Sequence, residues 1–163
     1  MPKKTADALR WILGILTEKN IDYQISGGLA AKLYGSSREL HDIDIDISEK
    51  HFSSILPELS TYITYGPKRL NDGKWDCALL TLEYGGQEID LCGIDTMRMS
   101  NKERTKWLTY ENDLSKSLTL NVDGIDLKVI HPRDLIAYKK ELDGDHQLVD
   151  VQAVEEYAAK NGF

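Results

Sequence analysis

The stretch Asp42-Ile43-Asp44-Ile45-Asp46-Ile47 constrains this chain more than any other. Strict alternation of apolar and polar residues is the pattern of a β-strand with two unlike faces. Ile43, Ile45 and Ile47 therefore belong to a core, and Asp42, Asp44 and Asp46 to the opposite surface. Aspartate is a poor strand former, and three carboxylates crowded on one short face resist joint ionisation unless a cation binds. Oxygen-only ligands of this kind suit Mg²⁺ or Mn²⁺. The competing reading is an edge strand whose acidic face merely discourages aggregation.

A second feature lies just upstream. Tyr23 to Ser26 reads as a short strand that runs into Gly27-Gly28, and Leu29 to Tyr34 then favours a short helix that ends near Gly35. Without side chains the glycines let a ligand approach the backbone, and the helix start turns its amide groups toward an anion. A double glycine on its own is more often a simple turn. Placed ahead of an aspartate strand, it supplies the phosphate cradle that a metal–nucleotide site needs.

The chain's 163 residues allow one domain with a real core, here 1–163 with a helical C-terminal part from about 132, and leave no room for a large separate substrate domain. A content of 41% hydrophobic and 29% charged residues is that of an ordinary globular protein. The formal net charge of -7 disfavours an extended nucleic acid as partner, but a small nucleotide is compatible once a divalent cation neutralises its phosphates. Cys77 and Cys92 have no metal-ligand spacing and read as free thiols, and His41, His51 and His146 have no partners at such spacing. The opening residues lead into an amphipathic helix rather than a signal-peptide block, and no apolar run approaches a membrane span, so a cytoplasmic protein is expected.

The rest of the chain supplies a scaffold. Leu9, Ile12, Leu13 and Leu16 mark a one-sided helix from Thr5 to about Asn20. Ser48 is placed to cap a helix through Leu59, with Pro57 near its end. Strands are expected over 61–65, 76–84 and 87–93, with Gly85-Gly86 as a hairpin turn and Glu88, Asp90 and Cys92 on one face. Residues 96–112 read as either a helix or an irregular loop. A hairpin about Asp123-Gly124 joins 118–122 to 125–130, Pro132 opens a helix to about Leu142, and a last helix runs from Gln147 to Lys160 with a stripe of Leu148, Val151, Val154 and Tyr157. The sum is an α+β (α/β-like) chain with a central mixed β-sheet flanked by helices.

The run ISGGLAAKLYGSSRELHDIDIDI, from Ile25 to Ile47, resembles the signature of the nucleotidyltransferase superfamily of the DNA polymerase β type: a strand, a glycine pair, a short helix, then two acids separated by one apolar residue. The thirteen residues between Gly28 and Asp42 are a long spacing for that pattern, and Arg38 ahead of the acids resembles bacterial members. The frame favours Asp42 and Asp44 over Asp44 and Asp46. The resemblance implies a third carboxylate on a later strand. Asp90 matches it, with Glu88 and Asp46 as alternatives. It also implies the nucleotidyltransferase fold, with Mg²⁺ or Mn²⁺ on Asp42, Asp44 and Asp90, and the donor NTP held by Ser26, Gly27, Gly28 and Arg38. Val122 to Lys140 resembles the C-terminal part of small bacterial members, which makes Lys139 either a nucleotide contact or one more solvated helix lysine, and Asp150 a structural residue. The implied reaction moves a nucleoside monophosphate from an NTP to a hydroxyl of a small molecule or protein and releases pyrophosphate. The alternative is a non-catalytic nucleotide-binding module, such as one of a toxin–antitoxin pair with a protein partner.

Overall fold

The computed structural model describes residues 1–110 and 112–163. Helix α1, Lys3–Glu18, presents its expected stripe to the interior, with Leu9, Ile12 and Leu16 fully buried. It begins two residues before Thr5, because the Thr5 hydroxyl donates to Gln87 Oε1 (2.8 Å) across the molecule rather than capping the helix. Strand β1 is only Gln24–Ile25, helix α2 is Gly27–Leu33, and strand β2 is Asp42–Ile47. A 3₁₀ turn over Glu49–His51 follows Ser48 and passes into α3, Phe52–Leu59, so the expected helix starts one turn late. Pro57 sits inside α3, two residues before its end.

The long strands β3 (Ile63–Asn71), β4 (Trp75–Tyr84) and β5 (Gln87–Ser100) come next, then the short β6, Trp107–Thr109. The hairpin at Gly85-Gly86 has positive φ at both residues (57° and 77°), which glycine adopts at no steric cost. β5 extends well past Gly93, and 107–109 is also strand, so the region over 96–112 is neither helix nor wholly irregular; Glu111 of that stretch lies outside the described residues. Charge hid this extension. Its outward residues are held by cross-strand pairs, with Asp76 accepting from Arg98 Nε and Arg69 Nε at 2.6 Å each. Strands β7 (Leu118–Val122) and β8 (Ile125–Val129) form the expected hairpin about Asp123-Gly124, again with positive φ at both positions.

Helices α4, Pro132–Lys139, and α5, His146–Asn161, close the chain. The α5 stripe differs from expectation in one place: Leu148 is 62% exposed, and the buried positions are Asp150, Val151, Val154 and Ala158. Hydropathy alone assigns a leucine to the interior, whereas here an aspartate takes the inward position because ion-pair partners await it.

All eight strands form one mixed sheet in the order β3-β4-β5-β2-β1-β8-β7, with β6 on the far end of β5. β2 lies parallel to β5 and antiparallel to β1, and β1 lies parallel to β8. Ile43, Ile45 and Ile47 are fully buried in the cluster that holds Leu9, Ile12 and Leu16 of α1. Burying each such side chain contributes about 1.5–3 kcal/mol, so the apolar face of β2 anchors the sheet's centre and leaves the aspartate face directed to the other side. No helix among the described residues is long and apolar enough to cross a membrane.

Ile45→Ala removes buried bulk at the centre of this core and is expected to lower unfolding stability by about 2–5 kcal/mol. Urea denaturation checks it, and a loss below about 1 kcal/mol would mean that the core repacks freely around β2.

Candidate active site

The pairing of β2 with β5 aligns Asp42 with Glu88, Asp44 with Asp90 and Asp46 with Cys92. Side chains of directly paired residues share a face, so the register brings Asp90 beside Asp44. Oxygens of Asp42, Asp44 and Asp90, all half-buried, lie within 4.8 Å of one another. Thr81 on β4 steadies Asp90 by donating its hydroxyl to Oδ1 at 2.6 Å. Glu88 is exposed and lies outside this group. Asp46 instead fastens β2 to the strand beside it, its Oδ2 accepting from Gln24 Nε2 (2.9 Å) and its Oδ1 from Ser26 Oγ (3.0 Å).

These environments set the protonation of the acids. Burial, then the neighbouring charges of Asp42, Asp90 and Asp46, pushes the Asp44 carboxyl far above the usual carboxylate range. Burial also raises Asp46 to about 6, against the stabilising hydrogen bonds of Gln24 and Ser26. Asp90 is raised by burial and by Asp42 and Glu88, opposed by Thr81. The cluster has the strain of like charges held together, which a cation relieves.

Gly27 and Gly28 open α2 at the edge of the same cavity. Gly27 has φ of +61°, and a Cβ there would fall 1.7 Å from Asp44 Oδ2. Its missing side chain is thus required by the aspartate itself. At Gly28 a Cβ would meet only ordinary contacts, the nearest being Arg38 Nη2 at 3.6 Å. The Gly27 amide donates to Tyr138 Oη at 2.6 Å, so this one is engaged within the protein. Tyr138 is a site residue that sequence reading passes over. It stands one position before Lys139 in a helical run, with nothing local to distinguish it from a packing tyrosine.

Lys139 is only 3% exposed and so is no solvated helix lysine. Its Nζ lies 2.8 Å from Asp150 Oδ2 and donates to Gln147 Oε1 at 3.0 Å. Asp150, 1% exposed, also receives Ser36 Oγ (2.5 Å) and lies 3.4 Å from Arg38 Nε. One buried carboxylate thereby ties the Ser36–Arg38 loop to α4 and α5. Among the described residues, Arg38 Nη1 is buried without a hydrogen-bond partner.

A cavity of about 510 Å³ unites these groups. Ser26, Gly27, Gly28, Arg38, Asp42, Asp44, Asp90 and Lys139 all line it, as do both free thiols, Cys77 and Cys92. Burial raises both thiols, which leaves them protonated and poorly nucleophilic.

Three outcomes follow from this geometry. Gly27→Ala is expected to disrupt the acidic site and to cost at least about 1–3 kcal/mol, because it combines a clash with a positive φ; thermal unfolding and the structure around Asp44 check it. Asp150→Asn leaves two cavity cations without their charge partner and is expected to cost about 3–5 kcal/mol, read by urea unfolding at neutral pH. In metal-free protein, the raised carboxyls of Asp44, Asp46 and Asp90 bind protons that the unfolded chain releases. Their contribution is complete below about pH 4 and is lost as pH rises, through about 6 for Asp46 and higher for Asp44. Asp44→Asn should flatten that decline between mildly acidic and mildly alkaline pH, and an unchanged slope would contradict the electrostatic assignment.

The model of the aminoglycoside-2''-adenylyltransferase family matches residues 8–133, which include the glycine pair, the aspartate strand and β5. Among curated proteins none matches the sequence. Among solved structures, a Thermotoga maritima protein assigned as a nucleotidyltransferase superposes with a TM-score of 0.70 at 21% identity, covering 99% of this chain and 96% of that one. The lincosamide antibiotic adenylyltransferase LnuA, solved with lincomycin, gives 0.60 at 16% identity over 91% and 95%. ANT(2'')-Ia, solved with adenylyl-2''-tobramycin, gives 0.64 at 13% identity over 98% and 92%. The mixed sheet and its flanking helices are thus the fold of nucleotidyltransferases, and with the family model spanning most of its length the chain belongs to the aminoglycoside-2''-adenylyltransferase family of nucleotidyl-transferring enzymes.

Proposed function

We propose that this protein transfers a nucleoside monophosphate from an NTP to a hydroxyl of a small molecule and releases pyrophosphate. The observation that carries this reading is the convergence of Asp42, Asp44 and Asp90 in a cavity whose other lining groups include Arg38 and Lys139. The named neighbours, one bound to an antibiotic and one to an adenylylated antibiotic, support a small hydroxyl acceptor.

The donor set fits Mg²⁺ or Mn²⁺: three carboxylates, no nitrogen or sulfur ligand among them, close enough to share an ion, with Asp44 and Asp90 raised in protonation without one. Asp42, Asp44 and Asp90 would hold it. When bound, such an ion supplies neutralisation of the phosphate charge and polarisation of the reacting oxygens.

The chain's own groups account for the remaining steps. Arg38 and Lys139 would bind triphosphate oxygens, and the unpartnered Nη1 of Arg38 is a donor that a phosphate would satisfy. Ser26, Gly27 and Gly28 would form the wall against which the phosphates lie, with no bulky side chain in the way. Asp90 would orient the acceptor hydroxyl and take its proton as the oxygen bonds to the α-phosphorus. The bond from that phosphorus to the bridging oxygen breaks, and pyrophosphate leaves with the electron pair. Tyr138, which holds the Gly27 amide, would keep the glycine turn in place while the nucleotide enters.

The test incubates the protein with Mg²⁺, NTPs radiolabelled at the α-phosphate and a panel of hydroxyl compounds, and follows both label transfer and pyrophosphate release. Asp44→Asn is expected to reduce transfer by more than about 100-fold, beyond the loss typical of an outer-shell change. Undiminished transfer by that variant would sink the assignment. NTP binding without pyrophosphate release would show a nucleotide-binding module instead.

A further inference from the structure

The two sides of the acid cluster differ in chemistry. In the sheet order, β1 and α2 flank β2 on one side, where Gly27, Gly28, Arg38 and Lys139 gather. On the other side lie β5, β4 and β3. There the floor is Cys92, Leu79, Cys77 and Leu70, with Leu79 paired to Cys92 and Leu70 to Cys77. Trp75, Met97 and Tyr110 line the cavity from the same group of strands and the residue after β6. Trp75 meets Tyr138 edge-to-face at 6.0 Å, and both line the cavity.

Carboxylates are scarce on this side. Asp76 is closed by Arg69 and Arg98. Asp113 accepts from both the amide and the hydroxyl of Ser115, and Lys116 lines the same cavity. Among the described residues, nothing here offers the several free acids that a compound with many ammonium groups requires. Instead, half-buried apolar side chains form a concave wall next to Asp90.

We infer that the β4 side of the cavity is the acceptor subsite, and that it takes a hydroxyl compound bearing an apolar ring and little positive charge, rather than a polycationic aminosugar. This inference rests on the transfer reading above for the word acceptor, but the cleft's preference can be measured without turnover. The ring lies against Trp75, Leu79 and Leu70, and its hydroxyl reaches back to Asp90. The donor occupies the opposite side, so the two substrates meet over the acids without competing for the same wall.

Calorimetric titration of the nucleotide-free protein with phenyl β-glucoside and, separately, with neomycin tests the preference. Phenyl β-glucoside is expected to bind more tightly than neomycin. Trp75→Ala should weaken it by about tenfold, the loss of one good aromatic contact, while affinity for a non-hydrolysable ATP analogue stays unchanged. Leu70→Asp, which places a charge in the cleft with little change of bulk, should weaken phenyl β-glucoside and strengthen neomycin. Absence of phenyl β-glucoside binding, tighter binding of neomycin to the unaltered protein, or indifference to both substitutions overturns the inference. Label transfer from ATP to phenyl β-glucoside is measured in parallel. Binding that follows the expected pattern with no transfer to any acceptor leaves the cleft assignment standing and counts against the reaction alone.

Discussion

The parallel pairing of β2 with β5 holds Asp44 against Asp90, and the rest of the molecule is arranged around sustaining that contact. Like charges at this separation repel, and burial makes the repulsion worse. What keeps them together is the opposite face of the same strand, where three fully buried isoleucines dock into the main core. An alternating strand cannot satisfy one face without committing the other. The core's stabilisation thereby holds an electrostatically unfavourable cluster in place.

The glycine turn belongs to the same device. A side chain at Gly27 would occupy the place of the Asp44 carboxylate, so the two motifs are sterically interlocked as well as chemically matched. Asp46 extends the lock, since its bonds to Gln24 and Ser26 fasten β1 to β2. All three acids on β2 line the cavity, but only Asp42 and Asp44 group with Asp90, and Asp46 works as a structural bolt.

Asp150 organises the cations that line the same cavity. It gathers Arg38 and Lys139, which come from a loop and from α4, at the cavity's edge. Two cations around one buried carboxylate retain a surplus positive charge, and that surplus suits an anionic donor. One cavity thus holds both the acid cluster and the two cations.

Much of this could be read from the residues alone. The DIDIDI alternation specified a strand with a core face and an acidic face, the paired glycines a tight turn, and the two-residue turns at Gly85-Gly86 and Asp123-Gly124 their hairpins, because each depends on local backbone geometry. Asp90 was legible as a same-face acid on a later strand, although its rivals Glu88 and Asp46 were equally visible. The β2–β5 register sets Glu88 beside Asp42 as well as Asp90 beside Asp44. What distinguishes them is the final place of each side chain, with Asp90 within reach of both Asp42 and Asp44, and Asp46 bonded to Gln24 and Ser26; such long-range pairing is not encoded in any local pattern. Long-range partnership likewise decided the inward turn of Asp150 in place of Leu148, the burial of Lys139, the role of Tyr138 and the strand extension through Arg98. Local periodicity determines which face a residue shares with its neighbours; charge pairing and register, which exist only once distant segments meet, determine what that face confronts.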